Sequence, residues 1–226
     1  MEYNKLFDHT NLNPWASLQD IRKLCDEARE FGFYSVCVNP YYVPAAKKLL
    51  EGTGVKITAV VGFPLGSCNP KAMAFEAKQA VKDGADEIDM VQNISMARAH
   101  NYEFNVRTVA MVRKAIGKNI VLKVILENCY LTSEEIKNSC IAAVQGGADF
   151  VKTSTGFGSY GAKADDVKLM RDTVGPDFGV KAAGGIHTLQ DAMSMVAAGA
   201  NRIGCSRSVA IMNEVNGNKS KKKKKK

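Results

Sequence analysis

The fold is decided by residues 83–91, DGADEIDMV, and by two later stretches that nearly repeat them. Residues 146–152 are GGADFVK, and residues 198–204 are AGANRIG. In each stretch, glycine follows a segment with helical periodicity and precedes a short apolar run, which is typical of a junction between a helix and a strand. Similar junctions elsewhere predict a strand–helix unit that recurs about every 22 to 35 residues.

Eight short apolar runs, rich in β-branched residues, predict eight strands. They cover residues 5–10, 34–38, 56–61, 87–91, 120–126, 149–152, 179–182 and 201–204. The segments between them predict helices over residues 17–31, 71–83, 102–116, 133–145, 164–174 and 189–198. Ser17, Thr132 or Ser133, and Thr188 are placed to cap helix N-termini, because each precedes an apolar periodic segment with an acidic residue in its first turn.

Eight such units in about 210 residues are typical of a (β/α)8 TIM barrel, an α/β fold. The alternative is an open, doubly wound sheet. The barrel is favoured because the regular repeat leaves no obvious sheet edge. We therefore predict a single barrel domain over residues 1–215, followed by a disordered lysine-rich tail over residues 216–226.

The formal net charge of +8 comes almost entirely from that tail, which holds Lys219 and a run of lysines over residues 221–226. Without these seven lysines, 24 basic residues face 23 acidic ones, so the body is close to neutral. This weakens the case for a nucleic-acid-binding domain, which needs a basic folded surface. No apolar run reaches the length of a membrane span, and no signal peptide is evident, so we expect a cytoplasmic protein without a membrane partner.

The cysteines and histidines are scattered and lack the spacing of metal ligands, so neither a metal nor a cofactor is predicted.

Two lysines lie within apolar strands, where lysine is rare. Lys152 ends the sixth predicted strand, and Lys181 lies within the seventh. Burial lowers a lysine's pKa, and a second ammonium group nearby lowers it further. A neutral amine is what Schiff-base catalysis requires, so the pair suggests a nucleophile and a second lysine that adjusts it. Asp89 is expected to face the barrel interior and to pair with Lys181; a purely structural ion pair is the alternative.

Glycine-rich turns after the seventh and eighth predicted strands suggest a phosphate site. They contain Gly184 and Gly185, then Gly204 and Ser206, and barrels often bind phosphate at these two loops. Residues 156–161, GFGSYG, also match the G-x-G-x-x-G pattern of a dinucleotide site. That function is disfavoured, because no acidic residue follows the next strand to bind a ribose.

Taken together, the sequence resembles the deoxyribose-phosphate aldolase family over residues 8–211. The resemblance rests on long motifs: DHT (8–10), CVNP (37–40), VVGFPLG (60–66), DGADEIDMV (83–91), LKVILE (122–127), FVKTSTGF (150–157) and VKAAGGI (180–186).

The resemblance implies a class I aldolase that cleaves 2-deoxy-D-ribose 5-phosphate reversibly to D-glyceraldehyde 3-phosphate and acetaldehyde, in deoxyribonucleoside catabolism. It implies Lys152 as the Schiff-base lysine, Lys181 as the lysine that perturbs its pKa, and Asp89 as a proton relay. It places Thr155 near the sugar hydroxyls, and Gly156, Gly184, Gly185, Gly204 and Ser206 around the phosphate. It also implies a homodimer. The alternatives are a phosphate-binding isomerase or epimerase, and a polyanion-binding protein that depends on the tail.

Overall fold

A computed structural model describes residues 2–223, with the side chains of residues 2–217. Its eight parallel strands form a closed barrel in which each strand pairs with its sequence neighbours and β1 pairs with β8, which confirms the predicted (β/α)8 fold. The strands are β1 (Phe7–Asn11), β2 (Ser35–Val38), β3 (Lys56–Val61), β4 (Glu87–Val91), β5 (Val121–Ile125), β6 (Phe150–Lys152), β7 (Gly179–Ala183) and β8 (Arg202–Cys205).

Nine helices are found within the described residues. They are α1 (Leu18–Phe31), α2 (Val43–Leu49), α3 (Pro70–Lys82), α4 (Ile94–Arg98), α5 (Tyr102–Ile116), α6 (Ser133–Gln145), α7 (Ala164–Val174), α8 (Leu189–Ala197) and α9 (Ser208–Lys223). The predicted N-caps are confirmed at Ser17, Thr132 and Thr188, each of which forms a capping box with the acidic residue three positions later. None of the helices in residues 2–223 is long and apolar enough to cross a membrane.

Helix α9 extends into the segment for which the sequence predicts a disordered tail. Residues 224–226, the end of that segment, lie outside the described part of the chain.

The apolar core lies between the barrel and its helices. Alternate strand residues such as Val36, Ile88 and Leu122 face outward and are fully buried by the helices. The other set of strand residues faces the barrel interior, and much of that set is polar. Every strand contributes at least one buried polar side chain to the interior, namely Asp8, Ser35, Thr58, Glu87, Asp89, Lys123, Lys152, Lys181 and Arg202.

Candidate active site

Three lysines converge on the carboxylate of Asp89 inside the barrel. Lys152 and Lys181 are aligned partners on β6 and β7, and their Nζ atoms lie 2.9 and 2.8 Å from Asp89 Oδ2. Lys123 is the aligned partner of Asp89 on the adjacent strand, and its Nζ lies 2.8 Å from Asp89 Oδ1. The structure therefore brings together the three residues that the sequence singled out, and adds Lys123 to them.

The cluster continues toward the opposite end of the barrel. Lys181 also donates to Asp8. Arg202 Nη1 lies 2.9 Å from Asp8 Oδ1 and 3.3 Å from Glu87 Oε2. The guanidinium of Arg202 lies 3.5 Å from the ring centre of Tyr34, a cation–π contact at that end of the barrel.

Hydroxyl groups close this cluster into a ring around the interior. Ser35 donates to Asp8 Oδ1 at 2.7 Å, and Thr58 Oγ1 lies 3.0 Å from Glu87 Oε2. Lys123 Nζ then lies 2.5 Å from the same Glu87 oxygen. Because buried charges are costly without partners, this continuous pairing explains how the barrel holds so many of them.

The formal charges of the ion-paired cluster do not cancel. Its four cations, Lys123, Lys152, Lys181 and Arg202, face the three carboxylates of Asp8, Glu87 and Asp89. The cluster reaches neutrality if one lysine gives up a proton. Among the described residues, Lys152 has one carboxylate partner, whereas Lys123 and Lys181 each have at least two, so Lys152 is the lysine of the cluster with the fewest counter-charges.

The surroundings of Lys181 shift its pKa upward. Burial alone would lower it, but the carboxylates of Asp8 and Asp89 outweigh burial and raise the pKa above its ordinary value. Burial likewise tends to raise the pKa of Asp89, yet the three surrounding ammonium groups hold it well below the usual range. In the resting site, Lys181 is therefore a cation beside Lys152, and Asp89 is an anion.

An apolar lining lies near this cluster, at the C-terminal ends of the strands. Cys37, Leu12 and Val60 pack together there, with Phe63 against them. Burial raises the pKa of the Cys37 thiol. The ring of Phe63 meets Phe157 edge to face, with 5.5 Å between their centres. These side chains form an apolar surface beside the charged cluster.

A cavity of about 730 Å³ opens on the same side of the barrel. Gly156 and Ser206 from the predicted phosphate set line it, as do Arg207 and Thr155, the residue predicted near the sugar hydroxyls. Lys152 is not among the residues that line this cavity, so the cavity is the entrance to the candidate site and not the place where Lys152 would react.

The remaining predicted glycines are placed differently. Gly184 lies beside this group, because a β-carbon built on it would be 3.6 Å from Gly156 Cα. Gly185 does not line the cavity. Gly204, which the sequence assigned to the phosphate site, lies within β8, where a β-carbon would come within 3.0 Å of Lys181 Cε. The absence of a side chain at Gly204 therefore makes room for Lys181.

The G-x-G-x-x-G residues serve packing. A β-carbon on Gly161 would lie 2.2 Å from the carbonyl carbon of Gly184, and one on Gly158 would lie 2.4 Å from Cys129 Sγ. In addition, the N–H of Ala162 donates to the carbonyl of Gly184 at 3.0 Å. Gly161 thus packs the loop after β6 against the loop after β7, and Gly158 packs it against the segment after β5, which accounts for the pattern without a dinucleotide.

Sequence reasoning missed Lys123, Asp8, Glu87, Arg202 and Glu127 as site residues. The signal was available for the strand residues, because each is a charged side chain within a short apolar strand. Glu127 lies two residues after the end of β5 and is buried, and its carboxylate accepts hydrogen bonds from the backbone N–H and the hydroxyl of Thr155.

Comparison with known proteins gives a consistent match. Residues 4–214 match the model of the DeoC/LacD family aldolases. The chain is 54% identical over 213 residues to the deoxyribose-phosphate aldolase of Clostridium novyi (strain NT), covering 94% of this chain and 96% of that protein. It is 52% identical over 215 residues to the enzyme of the same name from Thermococcus gammatolerans, with 94% and 96% coverage. The tetrameric deoxyribose phosphate aldolase of Aeropyrum pernix superimposes with a TM-score of 0.88 at 34% identity, covering 95% of this chain and 91% of that one.

Proposed function

The chain belongs to the DeoC/LacD family of aldolases, and we propose that it cleaves 2-deoxy-D-ribose 5-phosphate reversibly to D-glyceraldehyde 3-phosphate and acetaldehyde through a Schiff base on Lys152. The observation that carries the proposal is the convergence of Lys152 and Lys181 on one oxygen of Asp89, within a cluster that has one more cation than anion. Lys152 thus lies beside a second buried cationic group, which is one of the settings in which enzymes use lysine as a nucleophile.

The reaction begins when the amine of Lys152 attacks the C1 aldehyde of the open-chain sugar. Loss of water forms an iminium ion, which accepts the electron pair of the C2–C3 bond. That bond breaks as the C3 hydroxyl gives up its proton, and D-glyceraldehyde 3-phosphate leaves. The enamine on Lys152 is protonated at C2, and hydrolysis of the resulting iminium ion releases acetaldehyde.

The neighbouring charges have separate duties in this proposal. The ammonium ion of Lys181 keeps a positive charge next to Lys152 and disfavours protonation of the nucleophile. Asp89 holds both lysines in place and passes protons between the reacting hydroxyl and water. The loops that carry Thr155, Gly156, Gly184, Gly185 and Ser206 bind the phosphate, and their backbone N–H groups supply the donors.

Borohydride trapping tests the proposal. Reduction in the presence of substrate should give a covalent adduct on Lys152, located by peptide mass spectrometry. Lys152→Ala should give no adduct and lose cleavage activity, while Lys168→Ala, which changes an exposed lysine on α7, should retain both. An adduct on a different lysine, or activity that survives Lys152→Ala, would contradict the proposal. A proton-abstracting isomerase would give no adduct at all.

We extend the proposal to the setting of the reaction: a cytoplasmic enzyme of deoxyribonucleoside catabolism that works as a homo-oligomer. The relative from Aeropyrum pernix is a tetramer, so light scattering of this protein is needed to decide between a dimer and a larger assembly. We also propose that the barrel over residues 1–215 is sufficient for the reaction. Deleting residues 217–226 should leave kcat/KM unchanged and remove any affinity for nucleic acid.

A further inference from the structure

Glu127 combines two unfavourable features at the mouth of the barrel. Its backbone is left-handed, with φ 57° and ψ 64°, a conformation in which glycine is the preferred residue. Its side chain is a buried carboxylate, with a residue exposure of only 2%. No ion pair among the described residues includes Glu127, so hydrogen bonds have to stabilise the charge. The groups that the carboxylate binds should therefore explain both its burial and the left-handed backbone.

Both hydrogen bonds of this carboxylate come from Thr155. The backbone N–H of Thr155 donates to Oε1 at 3.1 Å, and its hydroxyl donates to Oε2. The same hydroxyl oxygen accepts the N–H of Phe157 at 3.0 Å. Glu127 therefore sets the position of Thr155 directly and that of Phe157 through one intermediate, and Gly156 lies between them.

The packing leaves this loop little freedom to move away from Glu127. A β-carbon on Gly158 would come within 3.3 Å of the Glu127 carboxyl carbon. On the other side, the ring of Phe157 contacts Phe63 from the loop after β3. The loop is thus held between a buried carboxylate and an aromatic contact, and its residues 155–157 line the cavity that leads to the site.

We infer that Glu127 is a positioning residue that holds residues 155–157 in the conformation that receives the substrate phosphate, an inference that rests on the proposed function. One consequence concerns Thr155. Its single hydroxyl proton is committed to Glu127, so Thr155 can only accept a hydrogen bond from a sugar hydroxyl and cannot donate one. Glu127 acts through the loop and does not touch the reacting atoms.

The test compares two substrates that differ only in the phosphate. Glu127→Gln keeps the size of the side chain but loses the charge that binds the two Thr155 donors. We expect kcat/KM for 2-deoxyribose 5-phosphate to fall about 10- to 100-fold, the usual loss for one or two charge-assisted hydrogen bonds. The fall should appear mainly in KM. For unphosphorylated 2-deoxyribose, kcat/KM should fall by no more than about threefold, because that substrate has no phosphate for residues 155–157 to receive and can lose only the one neutral hydrogen bond that Thr155 accepts from a sugar hydroxyl.

Controls separate this inference from a general structural effect and from the proposed reaction. Glu134→Gln, at an exposed position in the first turn of α6, should leave both substrates unaffected. Trapping of acetaldehyde on Lys152 in the unmodified enzyme tests the proposed function by itself. If that trapping succeeds and Glu127→Gln lowers both efficiencies equally, or neither, the positioning role is refuted. If Glu127→Gln does not fold, Glu127→Asp, whose carboxylate is too short to reach Thr155, is subject to the same comparison.

Discussion

Replacing Lys123 with methionine removes one cation from the buried cluster while it keeps most of the side-chain volume. The lost ammonium group lies 2.5 Å from Glu87 and 2.8 Å from Asp89. In the unmodified protein, four cations face three carboxylates; in Lys123→Met, three face three. A proton on Lys152 then completes the charge balance instead of exceeding it. The reactive amine should therefore be harder to generate.

The size of the effect follows from the geometry. Lys123 and Lys152 bind opposite oxygens of Asp89, at 2.8 and 2.9 Å, so their ammonium groups are close to each other. Two like charges a few ångströms apart repel by roughly 3 kcal/mol at an effective dielectric constant of about 20. Losing that repulsion should move the acid limb of the pH–rate profile upward by about two pH units. The protein should also lose stability, by roughly 3 kcal/mol, the lower end of the range for breaking a buried ion pair, because both carboxylates keep other cationic partners. Tm should then fall by about 6 to 12 °C.

The assay measures the rate of borohydride-trapped adduct formation with acetaldehyde across the pH range, beside thermal unfolding at each pH. Lys168→Met, which changes an exposed lysine paired with Asp172, is the matched control and should leave the acid limb of the pH–rate profile in place. An acid limb that stays where it is in Lys123→Met, or moves to lower pH, would refute the charge-balance argument. A lowered Tm without a shifted acid limb would not support the charge-balance argument, because thermal stability and the pH dependence of the rate are measured separately.

Three further outcomes are expected. The pKa of Asp89 is lowered on folding, so its contribution to stability is complete above the unfolded value of about 3.9 and is lost as pH falls toward the lower folded value. Urea titrations should show that the free energy of unfolding falls in acid, and the same free energy should depend less on pH in Asp89→Asn. Gly161→Ala should lower Tm and raise KM at least about tenfold, because the new methyl group would strike the backbone of Gly184; an unchanged KM would argue against the loop contact. Gly204→Ala should lower kcat by displacing Lys181, and kcat would be unchanged if the lysine has space to spare.

The barrel could be predicted from sequence because each strand is a short apolar run bounded by a helix cap or a glycine. The junctions around residues 83–91 and 146–152 place β4 and β6 at or within one residue of their observed ends. The short helices α2 and α4 were not predicted. Helix α2 has only Val43 and Ala46 buried in seven residues, too few for a helical period to be visible.

The site could be predicted only in part, for a different reason. Lys152, Lys181 and Asp89 are identified by their own positions in apolar strands. The rise in the pKa of Lys181 depends on Asp8, which lies 173 positions away in the chain and meets the lysine only when the barrel closes. Burial can be inferred from a local pattern, whereas the number of carboxylates that share a buried lysine depends on the three-dimensional arrangement.

The ring of polar side chains inside the barrel has a consequence for evolution and design. In this protein the groups that perform the chemistry are also the filling of the barrel, so a change in reactivity is at the same time a change in the core. A Schiff-base lysine transferred alone into the aliphatic interior of another barrel would arrive without its counter-charges. New activities are therefore easier to obtain in the loops around the mouth, where exposed side chains lie outside the electrostatic balance of the barrel interior.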